Sequence, residues 1–170
     1  MKFCPMCGMP QDEVGVTVCR FCNYEEKPIG ELSKKQFYDL LASYEYEMTE
    51  DGVRILSVKN IRDIALRGAV AVPHFVTEIA SEAFAHCKFL ARIDLPQGLR
   101  YIGDGAFMHC RDLFDVFIPE SVSYVGKGAF AACYDLGVVC CAAPECPDTW
   151  DSDWLADCSA KVEWSSIDEV

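Results

Sequence analysis

Three stretches of this chain superpose on one another at a fixed step, since 107 − 84 = 23 and 130 − 107 = 23 for Phe84, Phe107 and Phe130. The same step relates Ala83, Ala106 and Ala129, then Cys87, Cys110 and Cys133, and then Leu90, Leu113 and Leu136. It also relates Ile79, Ile102 and Val125, and Pro73, Pro96 and Pro119. The unit reads I-x3-A-F-x2-C-x2-L-x2-I-x-L-P-x2-L-x2-I-G, with Ile93, Val116 and Val139 and then Leu95, Ile118 and Cys141 completing its apolar positions. A unit of this size cannot bury its own apolar face, so successive units stack and equivalent side chains line up in columns. The expected fold class is therefore α+β with a short repeat solenoid. Alternation along each x-I-x-L segment sends every second side chain out of the stack. The outward set is Arg92 and Asp94, Asp115 and Phe117, and Val138 and Cys140, with Asp63 and Ala65 in a first strand expected over 61–66.

The A-F-x2-C-x2-L-x2-I-x-L-P core resembles the BspA-type leucine-rich repeat family over about residues 50 to 165. That resemblance implies a stacked array whose outer surface binds proteins and, in exported members, attaches to host or matrix proteins. The column cysteines read as small buried hydrophobes. Both ends depart from the unit. Asp51-Gly52 marks a tight turn between strands expected at Tyr44–Met48 and Val53–Val58. Downstream, Pro144, Pro147, Trp150 and Trp154 replace the usual residues, and both tryptophans are expected to cover the last apolar rung.

The first 26 residues follow a different pattern. Cys4 and Cys7, then Cys19 and Cys22, form two C-x2-C turns. Each turn presents two thiolates on one side, which suits a tetrahedral ion. Pro5 stiffens the first turn and Gly8 frees the backbone behind it, while Val14, Val16 and Val18 suggest a short strand. The pattern resembles a zinc ribbon, whose Zn2+ ion would be structural because four protein sulfurs leave no open coordination position. A rubredoxin-like iron site uses similar turns and remains open, as does a dithiol redox pair. The domain reading is thus a zinc ribbon at 1–26, a linker at 27–32, and a capping helix plus repeats with a C-terminal cap at 33–170. Ser33 with Gln36 has capping-box spacing, and Phe37, Leu40, Leu41 and Tyr44 share a helical face, so the helix is expected over about 34–45.

Charge narrows the function. The chain has 15 basic and 27 acidic residues, a net charge of −12, which disfavours a phosphate backbone or an anionic membrane as partner. Between residues 135 and 170 nine carboxylates face Lys161 alone, so −9 + 1 = −8. That end is either a solubilising surface or a docking face for a basic partner. The Met-Lys-Phe-Cys-Pro-Met-Cys-Gly start places cysteines where a signal peptide needs apolar residues, and the expected compartment is the reducing cytosol. His86 and His109 hold equivalent outward positions beside column cysteines, and Cys140, Cys141, Cys146 and Cys158 gather near the last rung. Neither group matches a catalytic or metal pattern, and no Gly-rich phosphate loop or nucleophile elbow occurs, so no catalytic residue is assigned. The expected activity is non-enzymatic binding of a protein or peptide through Arg92, Asp94, Asp115 and Phe117, where an outward aromatic is ringed by charges. Glu78, Tyr101 and Tyr124 form a second candidate face. A metal- or redox-responsive regulator sensing through the four cysteines is the alternative.

Overall fold

The computed structural model describes residues 34–59 and 68–165, with the backbone of two short strands, β1 (Lys2–Phe3) and β2 (Pro10–Gln11). Helix α1 (Lys34–Leu41) leads into β3 (Tyr44–Met48) and β4 (Val53–Val58), an antiparallel hairpin. The repeats follow as β5 (Ala69–Ala71), β6 (Val76–Ile79), β7 (Arg92–Asp94), β8 (Tyr101–Ile102), β9 (Asp115–Ile118), β10 (Tyr124–Val125), β11 (Val138–Cys141) and β12 (Lys161–Trp164).

These strands form two five-stranded sheets, ordered β10-β8-β6-β4-β3 and β12-β11-β9-β7-β5, in a solenoid of about five turns. The chain alternates between the sheets, turning at Pro73, Pro96 and Pro119 on one corner and through the A-F-x2-C-x2-L segment on the other. Every pairing among the repeat strands is parallel and in register at the repeat step: Ala69 lies beside Arg92, Arg92 beside Asp115, Asp115 beside Val138 and Val138 beside Lys161. Parallel strands need a long crossover, and here each repeat supplies it.

Inside, the equivalent side chains form the expected columns. Phe107 is fully buried between Phe84 and Phe130, with ring centroids 5.2 and 5.0 Å away and nearly parallel planes. Tyr44 closes the column edge-on at one end and Trp154 at the other. The Cys110 thiol donates to the Phe84 carbonyl at 3.2 Å and the Cys133 thiol to the Phe107 carbonyl at 3.1 Å. Burial pushes the Cys133 thiol up to about 12, and the Cys87 side chain together with burial pushes Cys110 up as well. Both therefore stay protonated at neutral pH and pack as hydrophobes.

The ends show where the repeat gives way. Helix α1 stops at Leu41, short of the expected span, because Tyr44 is taken by strand β3, where it reaches the phenylalanine column. Leu40 and Leu41 are buried, and Phe37 stacks on Phe75 at 5.0 Å. The strand in register with Arg92–Asp94 is Ala69–Ala71, so the outward positions of that rung are Ala69 and Ala71. The expected first strand at 61–66, with Asp63 and Ala65, lies outside the described residues, as do Cys4, Cys7, Cys19 and Cys22 of the expected ribbon and residues 14–18.

At the other end the A-F step becomes Trp154-Leu155, displaced by two residues: 154 − 129 = 25 and 158 − 133 = 25, whereas 161 − 138 = 23. The turn conformation survives this insertion. His86, His109, Ala132 and Asp157, each just before a column cysteine, all have φ between 54° and 61°. Trp150 and Trp154 are buried and meet edge-on at 5.4 Å, and the Trp150 indole Nε1 donates to the Val122 carbonyl at 3.4 Å.

Candidate protein-interaction surface

The second sheet presents two outward rows. One runs Ala69, Arg92, Asp115, Val138, Lys161 and the other Ala71, Asp94, Phe117, Cys140, Glu163. The buried partners between them, Ile93, Val116, Ile118, Val139 and Cys141, fix this orientation, because a shift of one residue would turn each strand inside out. Arg92 Nε lies 3.5 Å from Asp115 Oδ1 with both side chains about half exposed, so the pair contributes at most about 1 kcal/mol. Phe117 is 46% exposed and has Cys140 beside it in the next strand. The four residues singled out from the sequence thus share one face, with Arg92 and Asp115 on adjacent strands of one row and Asp94 and Phe117 holding equivalent positions in the other.

Three further exposed aromatics lie in the segments that lead into the strands of this sheet. Phe114 is 67% exposed, Phe89 57% and Tyr134 61%, and the Arg111 guanidinium lies 5.9 Å from the Tyr134 ring centre. Phe114 stands between Ala91 and Gly137 in its column, where its backbone N–H donates to the Ala91 carbonyl and its carbonyl accepts from Gly137. With small residues on both sides the ring is left proud of the surface. Phe89 shares its column with Asp112 and Asp135. The sequence carries a signal for both phenylalanines: each is a lone aromatic in a column otherwise small or acidic. Reading for matched columns passes over such single departures.

The second candidate face is built differently. Glu47, Arg54, Glu78, Tyr101 and Tyr124 form one row across the first sheet. The Arg54 guanidinium is held by the carboxylates of Glu47, at 2.7 Å, and Glu78, which raises its pKa, the Glu78 hydrogen bond contributing most. Tyr101 and Tyr124 stack at 4.7 Å with planes 6° apart, and burial raises the Tyr101 phenol. The row satisfies its own charges and ring faces, leaving less for a partner than the aromatic corner does.

His86 and His109 stack at 4.9 Å on the turn row, as their matched positions require. Cys140 and Cys141 point to opposite faces of β11, the first half-buried and outward, the second buried with its thiol pushed up to about 12. Cys146 is exposed, and the Cys158 thiol donates to the Cys133 carbonyl at 3.4 Å, continuing the column role. Alternation thus separates Cys140 from Cys141, and Cys158 joins the buried column. Among the described residues no three His, Cys, Asp or Glu side chains converge as a metal site, and no helix is long and apolar enough to cross a membrane.

Stacked 23-residue rungs with an outward strand row and a buried A-F-x2-C-x2-L column define a leucine-rich repeat solenoid. The family model described as BspA type Leucine rich repeat region (6 copies) matches residues 53–144. That is more than half of the sequence, and the chain belongs to the BspA-type leucine-rich repeat family. A leucine-rich repeat protein from Bacteroides capillosus has a similar fold, with a TM-score of 0.60 and 23% identity over 72% of this chain and 94% of that one. The T. pallidum leucine rich repeat protein is 26% identical over 58% of this chain and 69% of that one, with a TM-score of 0.34. A leucine-rich repeat protein from Bacteroides ovatus is 20% identical over 59% and 38% of the two chains, with a TM-score of 0.35. No curated protein matches the chain.

Proposed function

We propose that this chain is a non-enzymatic protein-binding module whose contact surface is the aromatic corner of the second sheet. Phe114 and Phe117 are its anchors, and Arg92, Asp94 and Asp115 form its charged rim. The observation that carries this reading is the exposure of two phenylalanines that no core column needs. Solenoids recognise proteins through such extended outer surfaces, and exposed aromatics ringed by polar groups are the usual hot spots. Phe114→Ala with Phe117→Ala should lower the unfolding free energy measured in urea by no more than about 1 kcal/mol, about 0.5 kcal/mol for each, while weakening capture of whichever partner the wild-type chain retains by tenfold or more. Unchanged capture by the double variant would remove this surface from consideration.

The N-terminal cysteines belong to the same reading. Four thiolates in two C-x2-C turns suit structural Zn2+, and β1 and β2, paired Lys2 with Gln11, flank Cys4 and Cys7 in sequence. Cys4, Cys7, Cys19 and Cys22 would hold the ion, and α1, with Leu40 and Leu41 buried, would cap the first rung. The compartment this reading implies is a reducing cytosol, where paired cysteines more often hold metal than disulfides. One equivalent of zinc per chain is expected by elemental analysis, lost on Cys4→Ser, with the melting transition of the repeats unmoved. Coupled melting of ribbon and repeats would favour a sensor instead.

A further inference from the structure

Strand β12 is the last of its sheet, and among the described residues it pairs with β11 alone. Its hydrogen-bonding parity is fixed on that side. Lys161 N donates to the Gly137 carbonyl at 2.8 Å and Ser165 N to the Cys141 carbonyl at 3.0 Å. Residues 161, 163 and 165 therefore turn their backbone polar groups toward β11, and by alternation Val162 and Trp164 turn theirs toward the open edge. Face parity is equally fixed: Lys161 and Glu163 are exposed, whereas Val162 and Trp164 are half-buried on the inner side. Leu155, Cys158 and Ala160 are also only partly buried, and with Val162 and Trp164 they leave an incompletely covered apolar end.

We propose that this edge pairs with a second copy of the chain, two β12 strands meeting antiparallel about a two-fold axis through Val162. In that register Val162 and Val162 of the partner subunit exchange two backbone hydrogen bonds, because the open edge carries the groups of Val162. Lys161 stands opposite Glu163 of the partner subunit in the closely spaced, non-hydrogen-bonded position, and the reciprocal pair completes a square of alternating charge with the Lys161–Glu163 contact of 2.7 Å already present within each strand. On the inner side Trp164 meets Ala160 of the partner subunit. Lys161 is the sole cation between residues 135 and 170, and this register sets it against an acid. Centring on Glu163 instead would oppose two carboxylates and present backbone groups that are already bonded to β11. Hydrogen bonding, charge and apolar contact thus select one register, and the two sheets join into one. The proposal does not depend on the aromatic corner, since Phe117 lies two strands away.

Sedimentation velocity of the full chain, zinc-loaded and in reductant, tests this. The wild-type chain should convert with rising concentration to a species of 2 × 19.0 = 38.0 kDa. Lys161→Glu and Glu163→Lys should each weaken self-association by on the order of tenfold, through like charges directly opposite, and the double exchange should restore it. Val162→Pro removes an N–H that points away from β11, so it should leave the melting transition in place and yield monomer. A wild-type chain that stays monomeric throughout overturns the proposal. So does a dimer indifferent to Val162→Pro, or a double exchange that associates no more tightly than the single variants.

Discussion

Phe107→Ala is expected to cost about 3–5 kcal/mol, the range for truncating a fully buried aromatic, and so to remove a large share of the roughly 5–15 kcal/mol that holds a domain folded. Phe107 has no exposed surface and lies between two phenylalanine rings at 5.2 and 5.0 Å. A cavity there opens onto both neighbouring rungs. Its carbonyl also accepts the Cys133 thiol, so relaxation into the void would disturb that contact too. Because each rung touches only its neighbours, the loss falls on two interfaces of a short array and has nowhere to spread. Urea unfolding should show a lower midpoint at unchanged slope, and Phe107→Leu should recover part of the loss. Phe114→Ala, removing the same side chain from an exposed site, should change little. If the two variants were equally destabilised, the columns would not be what holds the array together.

The columns are legible because a solenoid writes its core into the sequence several times over: Phe84, Phe107 and Phe130 identify one another. Where a position occurs once, that redundancy is gone. Tyr44 fits the apolar face of a helix by spacing, yet it belongs to β3, where pairing with Val58 outweighs local periodicity. Residues 61–66 carry the I-x2-I-x-L spacing expected of a first ladder strand and lie outside the described residues. The strand that pairs with Arg92–Asp94 is Ala69–Ala71, which has only one bulky residue and is identified by lying 23 residues earlier. Trp154-Leu155 is hard to see as the A-F equivalent because a two-residue insertion shifts it to a step of 25, and the left-handed turn kept at Asp157, with Cys158 bonded to the Cys133 carbonyl, reveals the match. In the candidate site, Phe117 is visible by alternation within its strand. Phe114, Phe89 and Tyr134 lie in turns, where no period of two predicts which side chain stands out.

Gly103→Ala should be the next most damaging change, and its physics is of another kind. One rung earlier the repeat has no glycine at this position, for the column runs Ala80, Gly103, Gly126. A Cβ on Gly103 would come within 2.7 Å of the Ala80 carbonyl carbon and 2.8 Å of Ser81 Cα, and one on Gly126 within 2.6 Å of Asp104 N and 2.9 Å of the Gly103 carbonyl carbon. These neighbours are backbone, which cannot swing aside as a side chain can, so the rungs themselves would have to separate. Overpacking of that kind costs roughly 1–3 kcal/mol, with the upper end expected where backbone must move. Ala80 escapes because the strand below it is β4, whose Ile55 carbonyl accepts from Ala80 N at 2.8 Å and whose chain runs on to Val58 instead of turning. Gly105 and Gly128 are the control. They have φ of 59° and 61°, but a Cβ would find only ordinary contacts at 3.4 Å or more, and Glu82 already occupies the equivalent position at φ 58°. Gly105→Ala should therefore cost about 1 kcal/mol, clearly less than Gly103→Ala by thermal or urea unfolding. The reverse order would mean that backbone conformation, not the closeness of stacked rungs, demands glycine in this array.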